Sequence, residues 1–237
     1  MNETLLEISG LNAGYGGMPV LRDVSLVVRR AEIVAMVGSN GAGKTTMLRA
    51  ISRLIDARGG IRFDGRDLLR ASADDVFALG LVQVPEGRQL FDRMSVEENL
   101  LMGSYRRRDR AQIRSDLARV YELFPRLAER RRQWAGSMSG GEQQMCAMGR
   151  ALMARPRMVM VDEMSLGLAP VIVDRLCDTM TRIRDEDVTV LLVEQDVHAA
   201  LSVADRGYVM ETGEIVREGS ASELAGDPQV QRAYLGI

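Results

Sequence analysis

The run Ile33-Val-Ala-Met-Val37, followed by Gly38-Ser39-Asn40-Gly41-Ala42-Gly43-Lys44-Thr45, decides the reading of this chain. Five apolar residues in a row predict a strand buried on both faces. The next eight match G-x-x-x-x-G-K-T, and Met47, Leu48, Ile51 and Ile55 at helical spacing predict a helix over 44–55, ending before Arg58-Gly59-Gly60. Strand, glycine loop and helix in that order make a cradle. The glycines let the backbone curl so that successive N–H groups converge on phosphate oxygens at a helix N-terminus. Lys44 is placed to neutralise the β- and γ-phosphates and the Thr45 hydroxyl to ligate Mg²⁺. Thr46 is an accessory candidate, reaching the α-phosphate or capping the helix. Of 31 basic residues thirty are Arg, and the one Lys is Lys44. A compact ammonium fits between phosphate oxygens where a broad guanidinium fork does not.

On either side of this stretch the pattern is α/β. Apolar runs over 5–11 and 20–28, bounded by Gly and Pro, predict antiparallel strands, and 61–65 and 80–85 predict two more. After Arg155-Pro156 come a strand over 158–161 ending in Asp162-Glu163, a helix over 171–184, a strand over 188–193, and a hairpin over 208–216 around Gly213. Between Ser95 and Trp134 the apolar residues fall at helical spacing instead. The expected organisation is one α/β core, residues 1–86 and 155–237, interrupted by a helical lobe over 87–154. Residues 105–132 hold ten Arg against four acids, either a solvated helical face or a docking surface.

Composition excludes several classes. With 237 residues and a net charge of −2, the chain offers no global field for nucleic acid. Cys146 and Cys177 have no metal-site spacing, the first residues lack a basic and an apolar leader region, and the longest apolar runs fall far short of the ~20 residues of a membrane span. The expectation is a reducing, cytoplasmic compartment and a chain that does not itself cross a bilayer.

Two further motifs carry chemistry. Asp162 and Glu163 close an apolar strand, the setting for a carboxylate that holds the Mg²⁺ water shell and a neighbour that acts as general base. Met138-Ser139-Gly140-Gly141-Glu142-Gln-Gln144 opens a helix and presents a hydroxyl with bare N–H groups, a second anion site. If both sites act on one nucleotide, they need not come from the same chain.

In this order the phosphate loop, helical insertion, Ser-Gly-Gly-Glu-Gln, apolar strand with Asp-Glu and final hairpin resemble the nucleotide-binding subunit of an ATP-binding cassette (ABC) transporter over essentially the whole chain. The resemblance implies an α/β fold: a P-loop NTPase (RecA-like) core with an antiparallel β subdomain and an inserted α-helical subdomain. It also implies ATP and Mg²⁺ as cofactors, hydrolysis of ATP, and two subunits sandwiching two nucleotides, each between the phosphate loop of one and the Ser139–Glu142 loop of the other. Tyr15, in Asn12-Ala-Gly-Tyr-Gly-Gly17, is then expected to stack on adenine. Val84-Pro-Glu-Gly-Arg88, Met94-Ser-Val-Glu-Glu-Asn-Leu100, Leu123-Phe-Pro-Arg-Leu127, Ser165-Leu-Gly-Leu-Ala-Pro170, Val193-Glu-Gln195 and Tyr234-Leu-Gly236 look like the shorter ATPase subunit of the branched-chain amino acid branch, the LivF type. Implied partners are membrane permease subunits, a second ATPase subunit (a paralogue or an identical copy) and, indirectly, an external solute-binding protein, with the chain peripheral on the inner face of the cell membrane. Importers of urea or short amides, and a soluble ABC ATPase, are the alternatives.

Several positions depart from the wider family pattern. Glu86 stands where most members carry a glutamine, with Gln83 nearby but out of register. Gln195 replaces the usual switch histidine, and the only histidine, His198, reads as a helix-surface residue. Ala169 replaces an aspartate, and Met164 the usual proline. A glutamine amide donates a hydrogen bond to the γ-phosphate but takes up no proton, which leaves the base role to Glu163. Glu86, as a carboxylate, is a further candidate ligand for Mg²⁺ or the attacking water. Phe91, Met94 and the apolar residues of the lobe are candidates either for a groove receiving a permease helix or for the lobe's own core.

Overall fold

The computed structural model describes residues 3–235; Gly236, the last residue of the Tyr234-Leu-Gly236 stretch, lies outside them. Strands β1 (Thr4–Tyr15) and β2 (Met18–Arg29) pair antiparallel across Gly16 and Gly17, both at positive φ. Next come β3 (Ile33–Val37), helix α1 (Lys44–Ile51), β4 (Ala57–Phe63), β5 (Arg66–Asp67), α2 (Ala73–Ala78) and β6 (Leu81–Val84). Four helices follow: α3 (Val96–Met102), α4 (Arg110–Leu123), α5 (Pro125–Glu129) and α6 (Gly140–Leu152). The chain then returns through β7 (Met158–Asp162), α7 (Pro170–Arg184), β8 (Thr189–Glu194), α8 (Val197–Val203), β9 (Arg206–Glu211), β10 (Glu214–Ser220) and α9 (Ala221–Gly226).

Two sheets result. The antiparallel sheet runs β2-β1-β4-β5; the larger one runs β10-β9-β3-β8-β7-β6, parallel except for β10 against β9. Central strands β3 and β8 are buried along their whole length. Their residues alternate between two cores, as the period of a strand requires. Ile33, Ala35, Val37, Val190 and Leu192 pack toward the helices, while Val34, Met36, Leu191 and Val193 pack toward α1 and the antiparallel sheet. Among the described residues eleven of fourteen methionines are buried, filling irregular space between these layers.

Helix α1 stops at Ile51, four residues before the end that its apolar spacing predicts. Arg53 takes a left-handed conformation, its N–H donates to the Ala50 carbonyl, and the Leu54 N–H donates to the Arg49 carbonyl, a Schellman ending that satisfies the last carbonyls early. Ile55 remains partly buried from outside the helix.

The inserted helices divide their apolar residues between interior and surface. Val96, Leu100, Val120, Leu123, Phe124 and Leu127 are interior. Phe91, Met102 and Tyr105 instead stay exposed along a groove of about 370 Å³ whose far wall is Val82 to Pro85. Of the ten arginines, five pair with acids: Arg106 with Asp74, Arg107 with Asp109 and Asp116, Arg119 with Glu186, Arg126 with Glu129 and Arg130 with Glu142. The other five are exposed.

Parallel strands put Val37, Val84, Asp162 and Glu194 at one carboxyl edge, where open α/β sheets bind ligands. The β9–β10 turn, Thr212-Gly213, buttresses this edge. The Gly213 N–H donates to the Ala42 carbonyl (2.8 Å) and its own carbonyl accepts from the Arg22 N–H (2.9 Å). Gly213 sits at φ 86°, and a Cβ there would lie 1.8 Å from the Val20 carbonyl oxygen. Gly213→Ala is therefore expected to lower the unfolding free energy by about 2–3 kcal/mol in urea titrations, through left-handed strain and lost contact with the phosphate loop.

Candidate functional site

The phosphate loop bridges β3 and α1. Gly38 has no room for a side chain, since a Cβ would sit 2.3 Å from the Met210 carbonyl oxygen, and Gly41 and Gly43 take φ 82° and 109°. Gly43 caps α1 without a side-chain acceptor, and the first intrahelical bond is Met47 N–H to the Gly43 carbonyl. The N–H groups of Lys44, Thr45 and Thr46 precede that bond, and a helix start of this kind attracts an anion. Ala42 and Thr46 are buried, whereas Ser39, Asn40 and Gly41 are exposed at the rim.

Lys44 is 4% exposed. Its Nζ donates to the Gly38 carbonyl (2.8 Å) and the Ser39 carbonyl (3.1 Å), and lies 3.4 Å from Glu163 Oε1. Folded back inside its own loop, the ammonium is poised to exchange carbonyls for phosphate oxygens. Glu163 takes φ 45°, held by its N–H donating to the Val193 carbonyl (2.9 Å).

Thr45 Oγ1 donates to Asp162 Oδ1 across 3.4 Å, a long bond. Asp162 is buried, and its Oδ2 has no hydrogen-bond partner. A buried orphan carboxylate oxygen beside a threonine hydroxyl fits a hard cation that takes oxygen ligands. Among the described residues no three His, Cys, Asp or Glu cluster as a metal cage. The Thr45 hydroxyl and the Asp162 carboxylate are the kind of oxygen ligands that Mg²⁺ takes beside waters and substrate phosphates. Thr45, Glu86 and Asp162 line one cavity of about 420 Å³, with Arg49 and Gln83 on its wall. Gln83 Oε1 accepts from the Ser52 hydroxyl (2.8 Å).

Burial pushes the Asp162 carboxyl up from 3.8 to about 6, against the Thr45 bond and with the charges of Glu163 and Glu86 adding to it. Because the folded value lies above the unfolded one, this group favours the nucleotide-free fold below pH ~4, and that contribution is lost as pH rises through about 6. The stability of the parent protein relative to Asp162→Asn is expected to fall between pH 4 and 7, read by denaturant midpoints. Magnesium-dependent nucleotide affinity should change the opposite way, weakening as pH drops below about 6.

Ser139 caps α6 in a reciprocal box. Its hydroxyl and N–H donate to Glu142 Oε2 (2.8 and 3.0 Å), and Glu142 also pairs with Arg130 Nε (2.9 Å). Gly140 and Gly141 follow in the first turn of the helix. Among the described residues no hydrogen bond joins Ser139 to Lys44 or Thr45. Tyr15 is 41% exposed, with its hydroxyl accepting from Arg49 Nη1 (3.2 Å). Gln195 and His198 are both exposed, Gln195 directly after β8 and His198 in the first turn of α8. A concavity of about 670 Å³ lies over the β1–β2 turn and Asp56 to Arg58, and no phosphate-loop residue lines it.

Two residues of the site escaped the sequence. Arg88, at φ 64°, donates from Nη1 to Gln143 Oε1 (3.2 Å), while its carbonyl accepts from Arg150 Nη2 (3.2 Å). It ties the loop carrying Glu86 to the start of α6. Glu194 is the other: its carboxylate accepts from the Ser165 N–H (2.9 Å) and hydroxyl (2.7 Å), and burial raises it above the usual carboxylate value. A Glu at the end of an apolar strand reads as solvent-facing, and only the register of β8 between β3 and β7 reveals otherwise.

A family model described as "ABC transporter" matches residues 21–165. The high-affinity branched-chain amino acid transport ATP-binding protein BraG of Pseudomonas aeruginosa is 45% identical over 98% of this chain and 100% of its own length. The probable branched-chain amino acid transport ATP-binding protein LivF of Archaeoglobus fulgidus is 32% identical over 98% and 99%. Among solved structures, an ATP-binding subunit of an ABC transporter superposes with a TM-score of 0.84 at 28% identity, covering 98% of this chain and 97% of that one. With its phosphate loop, its helical insertion and relatives matched from end to end, the chain belongs to the ABC transporter family, as one of its ATP-binding, ATP-hydrolysing subunits.

Proposed function

We propose that this chain hydrolyses Mg-ATP at a head-to-tail interface with a second ATPase subunit, and so drives import of branched-chain or other hydrophobic amino acids through separate permease subunits. The observation that carries the solute class is the 45% identity to BraG along the full length of both chains. Among the described residues no helix is long and apolar enough to cross a membrane, in keeping with permeation being the work of other subunits. The chain then sits on the inner face of the cell membrane, with the groove of Phe91, Met102 and Tyr105 receiving a permease helix.

In this reading the loop Gly38 to Thr46 wraps the phosphates, Tyr15 stacks on the base, and Lys44 turns from its carbonyls to the β- and γ-phosphates. Thr45, Asp162 and Glu86 hold Mg²⁺, which when bound neutralises the developing phosphate charge. Glu163 orients a water and takes its proton, and Gln195 donates to the γ-phosphate without joining in proton transfer. Ser139, Gly140, Gly141 and Glu142 of the other subunit close the far side. Closure on ATP and opening after hydrolysis shift the pair between two states. Uptake of labelled leucine and of labelled urea by cells lacking this subunit, with and without the restored gene, tests the solute class. Restored leucine uptake supports it; restored urea uptake alone overturns it.

A further inference from the structure

The end of β8 holds a carboxylate that the proposed chemistry does not use. Glu194 is 1% exposed, and both its oxygens are engaged by one residue, Ser165, through the N–H (2.9 Å) and the hydroxyl (2.7 Å). Among the described residues no Arg or Lys pairs with it. A buried carboxylate without a cation is expensive, and an apolar residue of similar volume would serve packing better. What the two bonds accomplish is local. Ser165 follows Glu163 by two residues, and Glu163 itself, at φ 45°, is tied by its N–H to the carbonyl of Val193, the residue before Glu194.

One strand end thus grips the loop twice, at Glu163 through the Val193 carbonyl and at Ser165 through the Glu194 side chain. Between these grips the backbone of Glu163 and Met164 is tied at both ends, and Glu163 Oε1 lies 3.4 Å from Lys44 Nζ. The same loop runs on to Ala169, whose methyl offers no polar anchor where the wider family has a carboxylate. Val37 pairs with Glu194 in the β3–β8 ladder, so the clamp stands against the strand that feeds the phosphate loop.

We propose that Glu194 is a positioning residue for hydrolysis: by closing on Ser165 it fixes the loop that aims Glu163 at the attacking water. This rests on Glu163 acting as the general base. The effect is orientational, and misplacing a reacting group by about 1 Å costs on the order of 10²-fold in rate. Turnover and ATP affinity of the full chain are to be measured for Glu194→Ala, Glu194→Gln, Ser165→Ala and Glu163→Gln. Glu194→Ala is expected to lose about 30-fold or more in kcat with KM and ATP affinity within about threefold. Glu194→Gln should recover to within about threefold of the parent, because its amide oxygen accepts the Ser165 N–H while the hydroxyl turns to accept from the amide nitrogen. Ser165→Ala, which removes one of the two bonds, should lose roughly 3–10-fold in kcat with KM and ATP affinity within about threefold. Should Glu194→Ala fail to fold, the Ser165→Ala and Glu194→Gln pair carries the test. Parental kcat in Ser165→Ala, or a Gln variant as impaired as the Ala variant, overturns the proposal. If Glu163→Gln itself keeps turning over, the underlying base assignment fails; if Glu163→Gln is inactive while Glu194→Ala is not, the clamp alone fails.

Discussion

Glu163→Gln should bind ATP with near-parental affinity and hydrolyse it at least about 10²-fold more slowly, the loss characteristic of a missing general base. The substitution is nearly isosteric, and the backbone that sets the residue at φ 45° is held by Val193, which does not change. What disappears is proton uptake, since an amide has no basic oxygen at neutral pH. Removing the negative charge 3.4 Å from Lys44 Nζ also frees that ammonium for phosphate, so affinity should hold or rise slightly. Single-turnover hydrolysis, measured beside equilibrium binding of labelled ATP, separates the two quantities. Near-normal hydrolysis would assign the base elsewhere.

Lys44→Ala acts on the other side of the same pair. Here both quantities should fall: nucleotide affinity by roughly 10–100-fold, the worth of a charge-assisted hydrogen bond of about 1.5–3 kcal/mol, and turnover below detection. Lys44→Arg discriminates further. The space around Nζ is bounded by the Gly38 and Ser39 carbonyls at 2.8 and 3.1 Å with the side chain 4% exposed, and a planar fork cannot enter it without displacing the loop. The Arg variant is therefore expected to behave like Ala and not like the parent, despite its retained charge. In a chain whose other thirty basic residues are all Arg, that result would explain why this position is Lys.

Much of this architecture is legible in local sequence because local chemistry causes it. The run Ile33 to Val37 is apolar throughout since β3 is covered on both faces, and the hairpin around Gly213 follows from the two left-handed residues its turn requires. Helix α1 shows where periodicity misleads: Ile55 is in phase with Ile51, yet the Schellman ending at Arg53 has already closed the helix. Glu194 and Arg88 show a deeper limit. Their partners, Ser165 and Gln143, are 29 and 55 positions away in sequence, and nothing in either residue's neighbours indicates that the chain will bring them together. The split between groove and core in the helical lobe is of the same kind, because Phe91 and Leu100 are both apolar and only packing tells which one is left outside.

The departures from the wider family also take on physical meaning. Gln83 and Glu86 both line the cavity of Thr45 and Asp162, but the Gln83 amide oxygen already accepts from the Ser52 hydroxyl. An additional carboxylate there raises the demand for a divalent cation and adds a little to the upward push that burial gives Asp162. Gln195 is exposed directly after β8, and among the described residues no hydrogen bond is made by its amide.

The most direct measurement is the retention of labelled ATP by the purified full chain in magnesium, titrated to saturation beside Lys44→Ala. The account expects saturable binding of one nucleotide per chain, strengthened by magnesium and largely lost in the variant. An absence of saturable retention, or equal retention by Lys44→Ala, would contradict it.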